Sequence, residues 1–393
     1  MTPSARLQAA IDIIDQVTFA ARSGGAAADT LIARYFKTRR YAGSKDRRAV
    51  RELAYAAIRR AGEVPESGRA ALIGLARDRP ELLALFDGSP HCPAPIAPGE
   101  IAAPAGIAPA WLVDKLAGTL GPDELPALLG RAPLDLRVNR LKATRDAIMV
   151  ELPDAVPGSL SPDALRLPEG TNVETLPAFN QGRIEVQDEG SQLIAAACGA
   201  TPGANVVDLC AGAGGKTLAL AAAMRGEGHL IACDVDRARL SRLPARAERA
   251  GAHNIQLRLL DAGRERAGLG DLAAAADIVL IDAPCSGTGT WRRNPEARWR
   301  LTPARLDRLR ETQAQVLAIG ATLVKPGGRL VYAVCSLLDE EGKAQVDAFL
   351  AVNPGWAPAD PLSAGRRHGL GRRLTPAYDA TDGFFIAALT APC

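Results

Sequence analysis

Residues 206–217 read VVDLCAGAGGKT, and this stretch decides the fold because an apolar run passes through small residues directly into a helix pattern. A turn of small residues lets backbone N–H groups approach a ligand closely at the start of a helix. A P-loop would need Gly at position 210, where Cys210 stands, and a dinucleotide-binding fingerprint would need Gly at position 217, where Thr217 stands. The stretch therefore predicts a strand–loop–helix unit for a nucleoside ligand that neither motif describes.

Acidic residues mark the ends of the strands that surround this loop. Asp208 ends the first predicted strand, Asp234 ends the second in HLIACDVD, and Asp261 ends the third in IQLRLLDAG. Ligands of open α/β sheets bind at the carboxyl ends of the strands, where an acid on the second strand can accept both ribose hydroxyls. Asp261 can accept a hydrogen bond from an exocyclic amine. Together the acids indicate a nucleoside cofactor, whereas each taken singly also fits a residue that only caps the next helix.

Two cysteines, fifty residues apart, follow apolar runs of the kind that form interior parallel strands. Cys285 stands in IDAPCSGTG and Cys335 stands in VYAVCS. Two thiols at strand ends beside Asp282 indicate covalent chemistry. The competing interpretation is that each thiol is a small buried hydrophobe, a common fate of free cysteine. A packing or loop role is assigned to three others: Cys198, Cys210 and Cys233.

The order of the predicted elements divides the chain into parts. From residue 190 onward strands and helices alternate, a rhythm typical of βαβ units with a parallel sheet. Six prolines between residues 90 and 109 exclude a helix there. The sequence therefore predicts an α/β fold with these parts: a helical domain at 1–88, a Pro-rich linker at 89–109, a small α+β module at 110–187 and a parallel-sheet domain at 188–393.

Positive charge is concentrated in separate stretches, although the net charge is only +3. Residues 31–60 hold ten Lys or Arg against Asp46 and Glu52, and residues 291–310 hold seven Arg against two acids. Segregated positive patches are typical of proteins that bind a polyanion, and a solvated helix face explains them equally well.

Several classes of protein are disfavoured by composition. The seven cysteines show no CxxC spacing, which argues against a zinc site or a disulfide framework, so no metal is expected. The N-terminal residues include acids and lack an apolar core, so we expect no signal peptide. No stretch approaches eighteen uncharged apolar residues. We expect a cytoplasmic monomer without a membrane partner.

Five segments of the C-terminal half carry a family resemblance: DLCAGAGGKT, CDVD, IDAPCSGTG, GGRLVYAVCS and DGFF. They resemble the S-adenosylmethionine-dependent RNA (cytosine-5) methyltransferases of the RsmB/Nop2/Sun family. Upstream, LRVNRLKATRD and RIEVQDEGSQ are similar to the family's RNA-recognition-like module, and SKDRRAVRELAYAAIRR resembles the NusB-like N-terminal domain of bacterial 16S rRNA members. The resemblance implies a class I methyltransferase Rossmann-like parallel sheet with an antiparallel edge hairpin, preceded by those two domains.

The resemblance also implies roles for residues. Asp234 would hold the ribose of S-adenosylmethionine and Asp261 its adenine. Asp282 would lie beside the methyl donor and the target base, where a protonated carboxyl could donate to N3. Cys335 would be the nucleophile, activated by Lys216 or by the cofactor's sulfonium, and Cys285 would help release the product. The methionine part would lie against residues Cys210, Ala211, Gly212, Ala213, Gly214, Gly215 and Lys216, although Ala213 replaces the family's usual proline.

The implied partner is RNA, with 16S rRNA as the leading substrate and tRNA as the alternative. A non-catalytic ribosome-assembly factor and a nucleotide-dependent oxidoreductase are the competing classes. Trp291 and Trp299 alternate with arginines and could stack on an unpaired RNA loop, or could equally pack under the following helix. The candidate RNA contacts are Arg292, Arg293, Arg47 and Arg48.

Overall fold

Apolar residues at helical spacing build the N-terminal part of the chain from helices that share one hydrophobic core. Leu7, Ile14 and Val17 of the first helix are fully buried in the same core as Val50 and Ile58 of the third. The computed structural model describes all residues, 1–393. The helices are α1 (Pro3–Ser23), α2 (Ala28–Lys37), α3 (Ser44–Arg60), α4 (Gly68–Asp78), α5 (Ala110–Ala117) and α6 (Glu124–Ala127), with 3-10 turns at Pro80–Leu85 and Pro295–Arg300.

The chain forms two units, and the first takes in a distant piece of sequence. It comprises Met1–Arg131 together with Thr290–Thr302, and the second comprises Ala132–Gly289 with Pro303–Cys393. Helix α5 lies in the first unit, although the sequence analysis grouped its residues with the α+β module. The four-part division at residues 88, 109 and 187 stays a prediction. None of the helices combines the length and apolar content needed to cross a bilayer.

The segment Thr290–Thr302 is anchored in the first unit by Arg298 and Trp299. Arg298 is fully buried and donates from Nη2 to the carbonyl oxygens of Ile58, Arg59 and Ala61 at 2.7, 3.0 and 2.8 Å. These carbonyls end α3, where a helix leaves its last acceptors without intrahelical partners. Trp299 is 5% exposed, packs in the helical core and donates from Nε1 to Ala61.

This burial corrects the stacking prediction for the tryptophans. Trp291 is fully buried and Trp299 nearly so, and a buried indole cannot stack on an RNA base. Both tryptophans are packed, but the partner of Trp299 is the core of the helical unit, whereas the competing interpretation named the following helix.

The second unit begins with a small antiparallel sheet. Its strands run in the order β2-β3-β1-β4, and Thr144 caps the helix between β1 and β2 by accepting a hydrogen bond from Ala147 N. The elements are β1 (Leu134–Val138), α7 (Arg145–Glu151), β2 (Val156–Pro157), β3 (Ala164–Leu167), a 3-10 turn at Val173–Thr175, α8 (Pro177–Asn180) and β4 (Ile184–Val186).

Alternating strands and helices then form the large sheet. Its first part comprises α9 (Glu189–Ala197), β5 (Asn205–Asp208), α10 (Gly215–Ala223), β6 (His229–Asp234), α11 (Arg237–Leu240), α12 (Leu243–Ala250), β7 (Ile255–Leu259), a 3-10 turn at Ala267–Leu272, β8 (Ala276–Asp282) and a 3-10 turn at Thr288–Thr290. Its second part comprises α13 (Pro303–Leu323), β9 (Val324–Val334), α14 (Lys343–Val352), β10 (Ala357–Ala359), β11 (Arg366–His368), β12 (Gly371–Leu374), α15 (Pro376–Asp379) and β13 (Phe384–Thr390).

The strand order confirms the predicted fold class. Strands β7, β6, β5, β8 and β9 pair in parallel, in that order. Beyond β9 the sheet continues with β13, β12 and β11, all antiparallel, and β10 also pairs with β13. Because β8 and β9 are parallel neighbours with Asp282 opposite Ala333, the chain segments that carry Cys285 and Cys335 emerge side by side at one edge.

Candidate active site

The loop between β5 and α10 is shaped by glycines. Gly212 and Gly214 have φ angles of 57° and 86°, in the left-handed region that side chains disfavour. Gly214 is the N-cap of α10, and a Cβ there would lie 2.2 Å from Leu243 Cδ1. Both the backbone conformation and the available space therefore require glycine at position 214.

A hydrogen bond holds the loop at the position where the family usually has proline. Arg246 of α12 donates from Nη1 to the carbonyl oxygen of Ala213 at 2.6 Å. The same guanidinium donates from Nη2 to Glu185 on β4 at 2.9 Å. The structure thus fixes Ala213 through its backbone oxygen, whereas proline would restrict φ.

Asp234, at the end of β6, is joined to this loop. Its Oδ2 accepts from Gly212 N at 2.7 Å, and its Oδ1 accepts from Asp236 N at the same distance. Each carboxylate oxygen can accept a second hydrogen bond. Asp234 is therefore oriented in advance and retains capacity for the hydroxyls of a ligand.

A cavity of about 440 Å³ lies at the carboxyl ends of the parallel strands. It combines apolar walls with a few polar groups, the usual character of a small-molecule site. The apolar lining includes Leu209, Val235, Leu260, Leu309, Val316 and Ile319. Of the residues predicted from sequence, it is lined by Cys210, Asp234, Asp282, Cys285 and Cys335.

Other predicted residues lie outside the lining. Asp261 is exposed, and its backbone oxygen accepts from Arg264 N, while its neighbour Leu260 contacts the cavity. Residues 211–215 and Lys216 are also absent from the lining, although Lys216 is bonded to a lining residue. The structure therefore does not bring Asp261 to the cavity beside Asp234.

The two cysteines meet in this cavity. Their Sγ atoms lie 3.3 Å apart, and both residues are half-buried. The hydrogen bond to Cys335, together with burial, raises the pKa of Cys285. Cys285 is thus favoured in its protonated form, with its sulfur in contact with that of Cys335.

Lys216 and Asp282 form an ion pair next to the thiols. Lys216 Nζ lies 2.6 Å from Asp282 Oδ2. Burial lowers the pKa of Lys216. The interaction with Asp282 and a smaller one with Cys335 raise it by more, so the pKa of Lys216 is raised overall. In this pair Asp282 Oδ2 is a hydrogen-bond acceptor. Donation from a protonated Asp282 to N3 of a base stays a prediction.

Asp208 ends β5 as predicted but faces the protein interior. It is fully buried, its Oδ2 accepts from Thr217 Oγ1 at 2.7 Å, and its Oδ1 has no hydrogen-bond partner. Burial raises the pKa of Asp208 to about 7. Asp208 therefore anchors the first turn of α10 rather than contacting a ligand.

This burial predicts a pH-dependent effect of Asp208→Asn. A carboxyl whose pKa is higher in the folded than in the unfolded protein destabilises the fold progressively as pH rises from about 4 to about 7. The rise to about 7 corresponds to about 4 kcal/mol. We expect the variant to unfold at higher urea concentration than wild type near pH 8 and at about the same concentration near pH 4.

The exposed Asp154 supplies the control for this experiment. Asp154→Asn is expected to follow the wild-type urea midpoint at both pH values. A difference between Asp208→Asn and wild type that does not change with pH would contradict the assignment.

The four arginines predicted to contact RNA have different environments. Arg47 and Arg48 are exposed on α3, where Arg48 pairs with Glu52 at 3.0 Å. Arg293 is half-buried, and Arg292 is only 6% exposed. RNA contacts by all four arginines stay a prediction, although the low exposure of Arg292 makes it the least accessible of them.

The sequence analysis missed a polar cluster that contacts the chain just after each thiol. Glu341 is fully buried and bonds with Ser286, Ser336 and Gln313. Its sequence context, LLDEEG, looks like an exposed acidic turn, so the composition gave no signal of burial.

Comparison with known proteins identifies families that match two separate stretches of the chain. A family described as "16S rRNA methyltransferase RsmB/F" matches residues 197–390, and a family described as an RsmF/B-like ferredoxin-like domain matches residues 108–174. "Ribosomal RNA small subunit methyltransferase B" of Salmonella arizonae is 38% identical over 288 residues, covering 72% of this chain. "Probable ribosomal RNA small subunit methyltransferase B" of Synechocystis is 34% identical over 299 residues. The chain spans 66% of the length of each.

Solved structures show the same architecture. PH0851 aligns with a TM-score of 0.77 at 26% identity, covering 99% of both chains. NSun6 from Pyrococcus horikoshii, solved with SFG, aligns with a TM-score of 0.65 at 20% identity, covering 72% of this chain and 98% of that one, and shows the fold alone. Fold, motif positions and sequence identity agree, and the chain belongs to the RsmB/F methyltransferase family.

Proposed function

We propose that this protein transfers a methyl group from S-adenosylmethionine to carbon 5 of a cytosine in RNA, with 16S rRNA as the substrate. The observation that carries the proposal is the pair of thiols, 3.3 Å apart, in the cavity that Asp234 and Asp282 also line. A single thiol suffices for many reactions, but two thiols side by side suit a cycle in which one forms a covalent bond and the other assists its cleavage. The names of the rRNA methyltransferase relatives support the RNA class.

The residues present fit the cofactor that this family uses. The turn at Gly212 and Gly214 follows Cys210, which lines the cavity, and Asp234 retains acceptor capacity for ribose hydroxyls. The apolar wall at Leu260 suits a flat base. When bound, S-adenosylmethionine supplies an electrophilic methyl group on a sulfonium.

Cys335 is the proposed nucleophile. Its thiolate adds to carbon 6 of cytosine, and the electron pair of the 5,6 double bond makes carbon 5 nucleophilic. After alkylation, carbon 5 carries both the new methyl group and its original proton. Removal of that proton returns the electron pair to the 5,6 bond and expels the Cys335 thiolate, which restores the enzyme.

The interaction between the two thiols supports an order in which Cys335 acts first and Cys285 second. In the resting site Cys285 holds its proton because Cys335 and burial raise the pKa of Cys285. Once the sulfur of Cys335 is bonded to carbon 6, it no longer raises the pKa of Cys285 by its charge. Cys285 then ionises more readily, at the stage when a base must take the carbon 5 proton.

The ion pair of Lys216 and Asp282 has two proposed tasks. An ionised Asp282 can accept a hydrogen bond from the exocyclic amine of cytosine, which orients the ring against Cys335. Lys216 interacts electrostatically with Cys335, which contributes to raising the pKa of Lys216, so that a positive charge lies beside the proposed nucleophile.

The direct test is methylation of defined RNA. The purified protein is incubated with S-adenosylmethionine carrying a labelled methyl group and with 16S rRNA, tRNA or unrelated RNA, and bisulfite sequencing locates any 5-methylcytosine. We expect one modified cytosine in 16S rRNA. Modification of tRNA alone would favour the alternative substrate, methylation at another base would overturn the cytosine chemistry, and RNA binding without methylation would favour an assembly factor.

A further inference from the structure

The carboxylate of Glu341 lies fully buried in the second unit and accepts four hydrogen bonds. Its Oε1 accepts from Ser286 N at 2.8 Å and from Gln313 Nε2 at 2.9 Å. Its Oε2 accepts from Ser336 Oγ at 2.5 Å and from Ser286 Oγ. Burying a carboxylate costs free energy unless such donors surround it, so its presence here requires an explanation beyond packing.

The donors are the immediate neighbours of the two thiols. Ser286 follows Cys285 in the chain, and Ser336 follows Cys335. One carboxylate thus ties together the two loops that carry the sulfur atoms.

The direction of each hydrogen bond follows from counting protons. Each serine hydroxyl has one proton and donates it to Glu341. The contact of 3.1 Å between Thr288 Oγ1 and Ser336 Oγ must then have Thr288 as donor. Thr288 in turn accepts from Leu337 N at 2.9 Å. The two serines, Thr288 and Glu341 thus share a single arrangement of protons, and this restrains both loops.

Gln313 extends the network to α13. Its amide nitrogen donates one hydrogen to Glu341 and the other to the carbonyl oxygen of Pro284, each at 2.9 Å. Pro284 directly precedes Cys285, so that thiol is held from both sides. Tyr332 of β9 donates to the backbone oxygen of Glu341 at 2.6 Å, which fixes the carboxylate's own segment.

We propose that Glu341 is a positioning residue that sets the separation and orientation of Cys285 and Cys335, and so controls both formation and cleavage of the covalent bond to cytosine. The inference rests on the proposed function. Glu341 does not line the cavity, so it acts only through the serines and Gln313.

Two substitutions of Glu341 distinguish its role in positioning the two loops from a role of its negative charge. Glu341→Ala leaves the four donors without their acceptor and frees the two loops. Glu341→Gln keeps the shape, since its oxygen can face Ser286 N and Gln313 while its amide nitrogen donates to the serine hydroxyls. Those hydroxyls lie 3.1 Å apart and can bond with each other. The glutamine variant is therefore expected to retain most of the arrangement.

The first measurement uses no RNA. Phenylarsine oxide bridges two neighbouring thiols through two arsenic–sulfur bonds, with loss of water. We expect wild type and Glu341→Gln to bind phenylarsine oxide tightly. Because the bridge needs both thiols at a suitable separation, we expect Glu341→Ala to bind it about tenfold more weakly. Cys285→Ala is expected to lack this tight binding. Equal affinity of Glu341→Ala and wild type would overturn the inference, whatever the protein's substrate.

The second measurement is single-turnover methyl transfer to RNA, with the affinity for S-adenosylmethionine measured in parallel. Glu341→Ala is expected to lower the rate constant about 100-fold and Glu341→Gln less than about 10-fold, both with unchanged cofactor affinity. Leu323→Ala, a buried substitution at the end of α13, controls for lost stability and is expected to keep the wild-type rate. If Leu323→Ala, at a matched loss of thermal stability, slows transfer as much as Glu341→Ala, the role is structural only.

The two hypotheses fail differently. If wild type methylates no RNA but its arsenical affinity depends on Glu341, the proposed function fails and the positioning role stands. If wild type methylates cytosine and Glu341→Ala matches it in rate and in arsenical affinity, the positioning role fails alone. If Glu341→Ala does not fold, Ser336→Ala together with Ser286→Ala removes the two hydroxyl donors, and unaltered transfer and arsenical affinity in that protein would overturn the inference.

Discussion

Replacement of Cys335 by alanine is expected to abolish methyl transfer, with kcat lowered at least about 10⁴-fold. Without the sulfur, carbon 6 of cytosine has no nucleophile and carbon 5 stays too unreactive to take a methyl group. Binding of S-adenosylmethionine is expected to persist, because Asp234 and the loop at Gly212 do not depend on the thiol. Transfer of labelled methyl groups to 16S rRNA measures the first effect, and calorimetry with the cofactor measures the second.

The exposed Cys393 provides a matched control for loss of a thiol. Cys393→Ala is expected to retain the wild-type rate. Substantial methylation by Cys335→Ala would refute the covalent mechanism, and 5-methylcytosine among its products would show that some other residue attacks the base.

Replacement of Cys285 by alanine is expected to have the opposite kinetic signature, which is accumulation of the covalent enzyme–RNA adduct. In the proposed mechanism, attack by Cys335 does not require Cys285, whereas removal of the carbon 5 proton does. Turnover is therefore expected to fall about 10²- to 10⁴-fold, the usual contribution of a general base, while the adduct persists. Denaturing gel electrophoresis with labelled RNA detects the adduct as a protein band of reduced mobility.

The double variant Cys285→Ala/Cys335→Ala identifies the bond. We expect no adduct from it, because the nucleophile is missing. An adduct from the double variant would place the covalent bond at another residue, and wild-type turnover by Cys285→Ala would remove Cys285 from the mechanism.

Strand ends and thiols were predictable from sequence because local patterns determine them. The apolar runs of β8 and β9 are interior strands, and parallel neighbours must present their following residues at the same edge. The pairing of Cys285 with Cys335 follows from that geometry. The small residues before α10 likewise demanded a tight turn, which Gly214 provides.

Burial that depends on distant partners was not predictable. Trp299 donates a hydrogen bond to the backbone oxygen of Ala61, 238 residues away in the chain. The local alternation of tryptophan and arginine does not predict that partner. Glu341 stands among acids that suggest solvent, yet Gln313 and the serines enclose it. Asp234 is the last residue of β6, whereas Asp261 lies two residues beyond the end of β7 and is exposed to solvent.

The anchoring of Thr290–Thr302 in the first unit limits how this protein can be truncated or recombined. The chain leaves the second unit shortly after Cys285 and returns at Pro303, so the two units are interwoven in sequence rather than joined end to end. A truncated protein that starts at Ala132 would lack the backbone oxygens that accept hydrogen bonds from Arg298 and Trp299, and Trp299 would be exposed. If the first unit is exchanged between relatives, residues Thr290–Thr302 must be exchanged together with Met1–Arg131. Recombination at a single crossover is therefore expected to yield misfolded chimeras.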